Sequence, residues 1–235
     1  YHDRMPQVLA RHDDPQWRAR DAADIMLRKS WDGIGSFRRA DRPAALDHIG
    51  VASQLVFNTM LSGFLAEAEY GQDIDFAYAL ARLHNRMMLD FCAVDRRLLS
   101  TLYVPLADLA RIDQVTEEAI EQGANALLIP SQCPIGHSPS HVGLDGLWAR
   151  AEEAGIPIVF HVGGGGKLLS PDYFNNGRPP GPDFHGGAEN FRSVDYMAIP
   201  YPVMQTLATL ILDRVLDRFP KLKFGVIEQG AAWVP

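Results

Sequence analysis

Cysteine is scarce in this chain: Cys92 and Cys133 are the only two in 235 residues. Two thiols cannot build a disulfide framework, so a reducing compartment, the cytoplasm, is the expected location. Long apolar runs are missing too, and none approaches the roughly 18–20 residues a membrane helix needs. Positive charge is in the minority, with 22 Lys and Arg against 29 Asp and Glu, a formal net charge of −7. That acidic balance disfavours nucleic acid or an anionic membrane as partner. The opening residues Tyr1-His2-Asp3-Arg4 are polar and no apolar segment follows, so no signal peptide is expected. No glycine fingerprint of a dinucleotide site follows the first strand-like run, and no P-loop occurs.

What remains is globular. Hydrophobic residues make up 47% and charged residues 22%, which excludes disorder and coiled coil. The length allows one large domain or two small ones and a sizeable core. The ends suggest more. Position 1 is not methionine, and the chain stops at Pro235 soon after Phe224–Gly230, which reads as a buried strand and a turn. A piece of a longer protein is the expectation.

Residues 1–45 are charged and irregular, with a helix expected over Trp17–Lys29 and a short one over Arg38–Ile49. A rhythm then begins. Strands are expected at Val51–Asn58, Leu99–Pro105, Ala126–Pro130, Pro157–Val162 and Lys223–Glu228. Helices are expected at Ile74–Ala93, Asp108–Gln122, Leu144–Ala154 and Val203–Arg218, with a long loop from Gly163 to about Pro200. The strands are short and nearly all apolar rather than alternating. Such strands are covered on both faces and run parallel, joined by right-handed helical crossovers. A Rossmann sheet and a (β/α)8 barrel both satisfy this pattern.

In either architecture, chemistry sits at the C-terminal ends of the strands. Those ends hold Asn58, Pro105, Pro130-Ser131, His161 and Glu228. His161 closes Pro157-Ile158-Val159-Phe160-His161 and precedes Gly163–Gly166, where the backbone can approach a ligand closely. A neutral imidazole there suits a transition metal. The plainer alternative is a rim histidine satisfied by a neighbouring carbonyl. Glu228 ends its strand in the same way, as a general base, a metal ligand or half of an ion pair. The glycine run lacks the Lys-Ser/Thr pair of a P-loop and reads as a flexible active-site loop. Further along that loop, Asp183–Gly187 could bring His185 over a pocket; a solvated loop histidine is the alternative. His185 and Asn58 are the substrate-binding candidates. His137 and His141 flank Pro139, which opposes the helix their spacing would need to hold zinc, so structural or substrate contacts are expected. Cys133 has no partner histidine placed by the sequence. Asn85 on its helix is expected to cap or bridge to the neighbouring strand, with no chemistry.

Three segments together resemble a known family. They are Asn85-Arg86 with Leu102–Asp108, then Leu147-Trp148-Ala149 running into Ala154–His161, then Asp217–Phe224. In this order they resemble the amidohydrolase superfamily, in the branch that contains aminocarboxymuconate-semialdehyde decarboxylase. The resemblance covers roughly residues 46 to 235. It implies an α/β fold, a (β/α)8 TIM barrel that is incomplete here, with strands 2 to 6 present and strands 1, 7 and 8 missing. Residues 1–235 would then be a single domain truncated at both ends. It implies a divalent metal ion, zinc the first choice, with His161 as a ligand from the family's fifth strand. The first-strand His-x-His pair would precede Tyr1, and the eighth-strand Asp would follow Pro235. One position departs: the family's sixth strand usually ends in His, and here Glu228 stands in Glu228-Gln229-Gly230-Ala231-Ala232-Trp233. Glu228 is the catalytic candidate.

The implied activity is hydrolysis of an amide-like or ester-like bond, or decarboxylation of a small carboxylated substrate, with a metal-activated water. A non-catalytic binding protein on the same barrel, and a strict carboxy-lyase, are the alternatives. The expected partners are a small-molecule substrate and, through exposed barrel helices, a second copy in a homodimer.

Overall fold

The computed structural model describes residues 5–28, 30–162, 170–178, 198–231 and 233–234. Five strands form its centre: β1 (Gln54–Val56), β2 (Leu98–Tyr103), β3 (Ala126–Leu128), β4 (Ile158–His161) and β5 (Phe224–Ile227). All neighbours pair in parallel, in the order β1-β2-β3-β4-β5. The sheet is curled, as in part of a barrel wall.

Each expected strand is present, and the reason is visible in its burial. Every residue of β3 and β4 is buried. Their side chains alternate between two apolar layers. Ile158 and Phe160 join Leu102, Leu127 and Ile129 against the helices, around Leu147 and Trp148. Val159 joins Tyr103, Ala126 and Leu128 on the opposite face, with Leu55, Phe57 and Ile227 beside them. Burial on both faces requires apolar residues at every position.

The covering helices are α5 (Ile74–Cys92), α6 (Ile112–Glu121) and α7 (Asp145–Ala154). Asp73 starts α5 by accepting a hydrogen bond from the Phe76 amide at 2.9 Å. Its buried residues, Ala77, Tyr78, Ala81, His84, Asn85, Met88 and Cys92, recur at helical spacing. Gly155 ends α7 in the left-handed conformation at φ 67°. Asn85 behaves as expected. Its amide nitrogen donates to the Tyr103 carbonyl at 3.0 Å, and its oxygen accepts from the Tyr103 amide at 2.7 Å. One side chain thus completes a strand residue's backbone bonding.

Before the sheet lie α1 (Met5–Asp13), α2 (Pro15–Ala23) and α3 (Arg42–Ile49). The helix expected over Trp17–Lys29 is shorter than that. It stops at Ala23, and a single 3-10 turn, Ile25–Leu27, follows. The cause is Asp21, whose buried carboxylate accepts from the Ile34 amide at 2.7 Å and pairs with Arg28 at 3.0 Å. Those bonds fold the chain back on itself. The helix α1 and the helix α4 (Thr59–Glu69) had no counterpart in the sequence reading. The helix expected over Val203–Arg218 is two pieces, α8 (Tyr201–Leu212) and α9 (Val215–Arg218). Arg214, at φ 59°, breaks it between them. No described helix is long and apolar enough to cross a membrane.

Candidate active site

Parallel pairing sets the site. His161 is the last residue of β4 and sits in register with Ile227, so Glu228 follows at the same rim of the sheet. The imidazole is 4% exposed, while the carboxylate is 62% exposed and reaches in from the solvent side. His161 Nε2 lies 3.3 Å from Glu228 Oε2. The other ring nitrogen, Nδ1, lies 2.7 Å from the carbonyl oxygen of Val162. A carbonyl only accepts, so Nδ1 carries the hydrogen and, in the neutral ring, Nε2 presents its lone pair. The Phe57 ring stacks on this imidazole, with centroids 4.7 Å apart and planes inclined by 26°.

Glu228 has φ 58°, a left-handed backbone conformation that costs a side-chain-bearing residue about 1–2 kcal/mol. Such strain at a strand end is characteristic of functional positions. Beyond it, Trp233 donates its indole hydrogen to the carbonyls of Gln229 and Gly230, at 3.1 and 3.0 Å, which closes the turn.

Asn58 lies at the end of β1, and its side-chain oxygen caps α4 by accepting from the Leu61 amide at 3.1 Å. His185 and the run Gly163–Gly166, apart from what the sequence says, lie outside the described residues. His137 bridges two loops. Its Nε2 faces the Leu106 carbonyl at 2.9 Å and its Nδ1 faces the Ser138 carbonyl at 3.0 Å. His141 caps a 3-10 turn, its Nδ1 accepting from the Gly143 amide at 3.0 Å. Cys133 is exposed, and its thiol faces the His137 carbonyl at 3.5 Å.

One buried cluster on the same rim escaped the sequence reading. Glu69, at the end of α4, accepts a hydrogen bond from the Leu106 amide at 2.6 Å and another from the Tyr103 hydroxyl. Burial pushes its carboxyl up to about 7, against the pull of Tyr103 and of the amides of Leu106 and Ala107. Next to it, Tyr70 donates to the Gln132 carbonyl at 2.9 Å. Capped at the end of β1 by Asn58, α4 therefore reaches across to the loops after β2 and β3. The only sequence signal was Asn58 three residues before an amide that needed a cap.

A family model described as Amidohydrolase matches residues 15–235. The chain belongs to the amidohydrolase family. Among solved structures, an amidohydrolase of Mycobacterium avium subsp. paratuberculosis K-10 is similar at 25% identity with a TM-score of 0.66. The match covers 85% of this chain and 50% of that one. A 5-carboxyvanillate decarboxylase from Novosphingobium aromaticivorans DSM 12444, complexed with manganese and 4-hydroxy-3-methoxy-5-nitrobenzoic acid, gives 19% identity and a TM-score of 0.57. It is covered over 47% of its length, and this chain over 79%. A 2,6-dihydroxybenzoate decarboxylase from Rhizobium gives 16% identity and 0.53, over 79% of this chain and 54% of that one. The last two likenesses show the fold. No curated protein matches significantly. The chain spans about half the length of these amidohydrolase-fold structures. The five parallel strands are therefore part of a TIM barrel of the amidohydrolase type.

The family implies a metal ion, and the donor set can be tested against one. A buried imidazole with a free Nε2 lone pair, facing a carboxylate oxygen, suits zinc or manganese. The hydrogen bond from Nδ1 to Val162 is the outer-shell bond that metal-binding histidines make. His161 fits an ion as one ligand, with the Glu228 carboxylate 3.3 Å beside it. Among the described residues, no group of three or more His, Cys, Asp or Glu is gathered closely enough to hold one.

Proposed function

We propose that the chain is part of a metal-dependent enzyme of amidohydrolase type, acting on a small molecule. It hydrolyses an amide or ester bond, or it removes CO2 from a carboxylated substrate. The observation that carries this reading is the His161–Glu228 pair, an imidazole Nε2 and a carboxylate oxygen 3.3 Å apart on adjacent strand ends.

When bound, a divalent ion, zinc or manganese, supplies Lewis-acid polarisation of a substrate oxygen. His161 would hold it through Nε2, with Nδ1 fixed on the Val162 carbonyl. Glu228 handles the proton. In hydrolysis its carboxylate takes a proton from the attacking water as the new C–O bond forms, and gives it to the departing amine or alcohol as the old C–N or C–O bond breaks. In decarboxylation its acid form gives a proton to the carbon whose bond to CO2 breaks, leaving the electron pair in the new C–H bond. The decarboxylase folds that the chain resembles make carboxylated phenols the first compounds to screen, followed by amides and esters.

The test uses the whole protein that contains this chain. Metal content is measured in the wild type, and turnover is followed by released CO2 and by released amine or alcohol. His161→Ala is expected to lose metal and turnover together. Glu228→Gln is expected to lower kcat by about 10²–10⁴-fold, the usual worth of a general acid or base. Full metal content and wild-type turnover in His161→Ala would overturn the proposal.

A further inference from the structure

Phe57 lies one residue beyond β1, three strands away from β4 in the sheet, yet its ring meets the ring of His161. The curl of the sheet brings them together. The centroid separation of 4.7 Å and the inclination of 26° are those of a stacked pair. The imidazole is thus held twice. Its Nδ1 edge is tied to the Val162 carbonyl at 2.7 Å, and its face lies on Phe57. A hydrogen bond at one edge leaves the ring free to tilt about that bond, because sp³–sp² torsions of aromatic side chains are broad. A flat partner removes that tilt.

We propose that Phe57 is a positioning residue: its ring fixes the plane of His161 so that Nε2 stays presented beside the Glu228 carboxylate. The inference rests on reading His161 as a metal ligand and adds the group that aims it. An apolar residue of similar size would fill the space as well, so flatness is the property that separates aiming from filling. Phe57 is only half-buried, as a residue at the rim of the inner face would be.

The test is a calorimetric titration of the metal-free whole protein with Mn2+, with thermal stability recorded beforehand for each variant. Phe57→Leu is expected to weaken Mn2+ binding by about 10-fold, the lower end for loss of an outer-shell partner. Phe57→Tyr keeps the flat ring and is expected to bind with the wild-type dissociation constant. A purely structural residue would lower the melting temperature of Phe57→Leu and leave the affinity of the folded protein unchanged; that result overturns the inference. Should Phe57→Leu fail to fold, Phe57→Met is read in the same way, tenfold loss supporting and unchanged affinity overturning. His161→Ala separates the two levels. If it binds Mn2+ as tightly as wild type, the metal-ligand reading falls and takes the positioning role with it. If it loses Mn2+ while Phe57→Leu does not, only the positioning role falls.

Discussion

At the residue scale, Glu228 holds two properties that oppose each other. Its carboxylate faces His161, and its backbone sits at φ 58°, where glycine is at home. Replacing it by glycine relieves the backbone and removes the carboxylate from beside His161. Glu228→Gly is therefore expected to gain about 1 kcal/mol of stability in urea denaturation while losing turnover. Glu228→Gln keeps the strained backbone and should match the wild-type midpoint. A glycine variant less stable than the wild type would mean that Glu228 is held in place by favourable contacts rather than tolerated for its function. The same scale explains what the sequence disclosed. His161 and Glu228 stand out because each ends an apolar run where a strand must stop. Phe57 does not stand out, because a phenylalanine after Leu55 and Val56 reads as one more core residue. Its partner lies a hundred positions further on, and only the curl of the sheet joins them.

At the element scale, α4 is the clearest case of structure that pattern could not reach. Its length, Thr59–Glu69, carries small and apolar residues without a single strong face, and its role is set by its last residue and by Tyr70, which caps it. Glu69 ties it to the loop after β2, and Tyr70 ties it to the loop after β3. The folded-state value of about 7 lies above the ordinary 4.5, so the folded protein holds this proton more tightly than the unfolded chain does. The contribution is complete below about pH 4.5 and is lost as pH rises through 7. The titratable side chains around it are Tyr103, Tyr70 and Tyr78, with burial pushing Tyr78 up to about 12, so none of them charges in that window. Subtracting the stability of Glu69→Gln from that of the wild type should give a difference that falls by about 1–3 kcal/mol between pH 5 and pH 8. A flat difference across that range would show Glu69 to be ionised throughout. The strands and the helices α5, α6 and α7 were legible, because burial on two faces and on one stripe leave different periodicities. The break after Ala23 was not, since it depends on Asp21 finding the Ile34 amide through space.

At the scale of the whole molecule, the sheet has two outer strands, β1 and β5, each paired on one side only among the described residues. An open parallel edge is a template for another strand, and a barrel removes its edges by closing. These 235 residues expressed alone are therefore expected to self-associate. Light scattering and sedimentation velocity at increasing concentration would follow it. A monomer that unfolds cooperatively would show that the edges are covered in another way.

The strand order carries a last consequence. Every strand lies beside the strand before it in the chain, and the parallel pairings run from Gln54 with Leu98 through to His161 with Ile227. No strand has to wait for a later one before its earlier neighbour is present. A polypeptide leaving the ribosome could add each strand and its helix to a growing wall, N-terminal part first. The slowest addition should be β5, because Ile158 must find Phe224 across the longest stretch of intervening chain. Until that moment, β4 and His161 stand at the exposed margin of the nascent sheet. Assembly of the wall and the meeting of His161 with Glu228 are then one event.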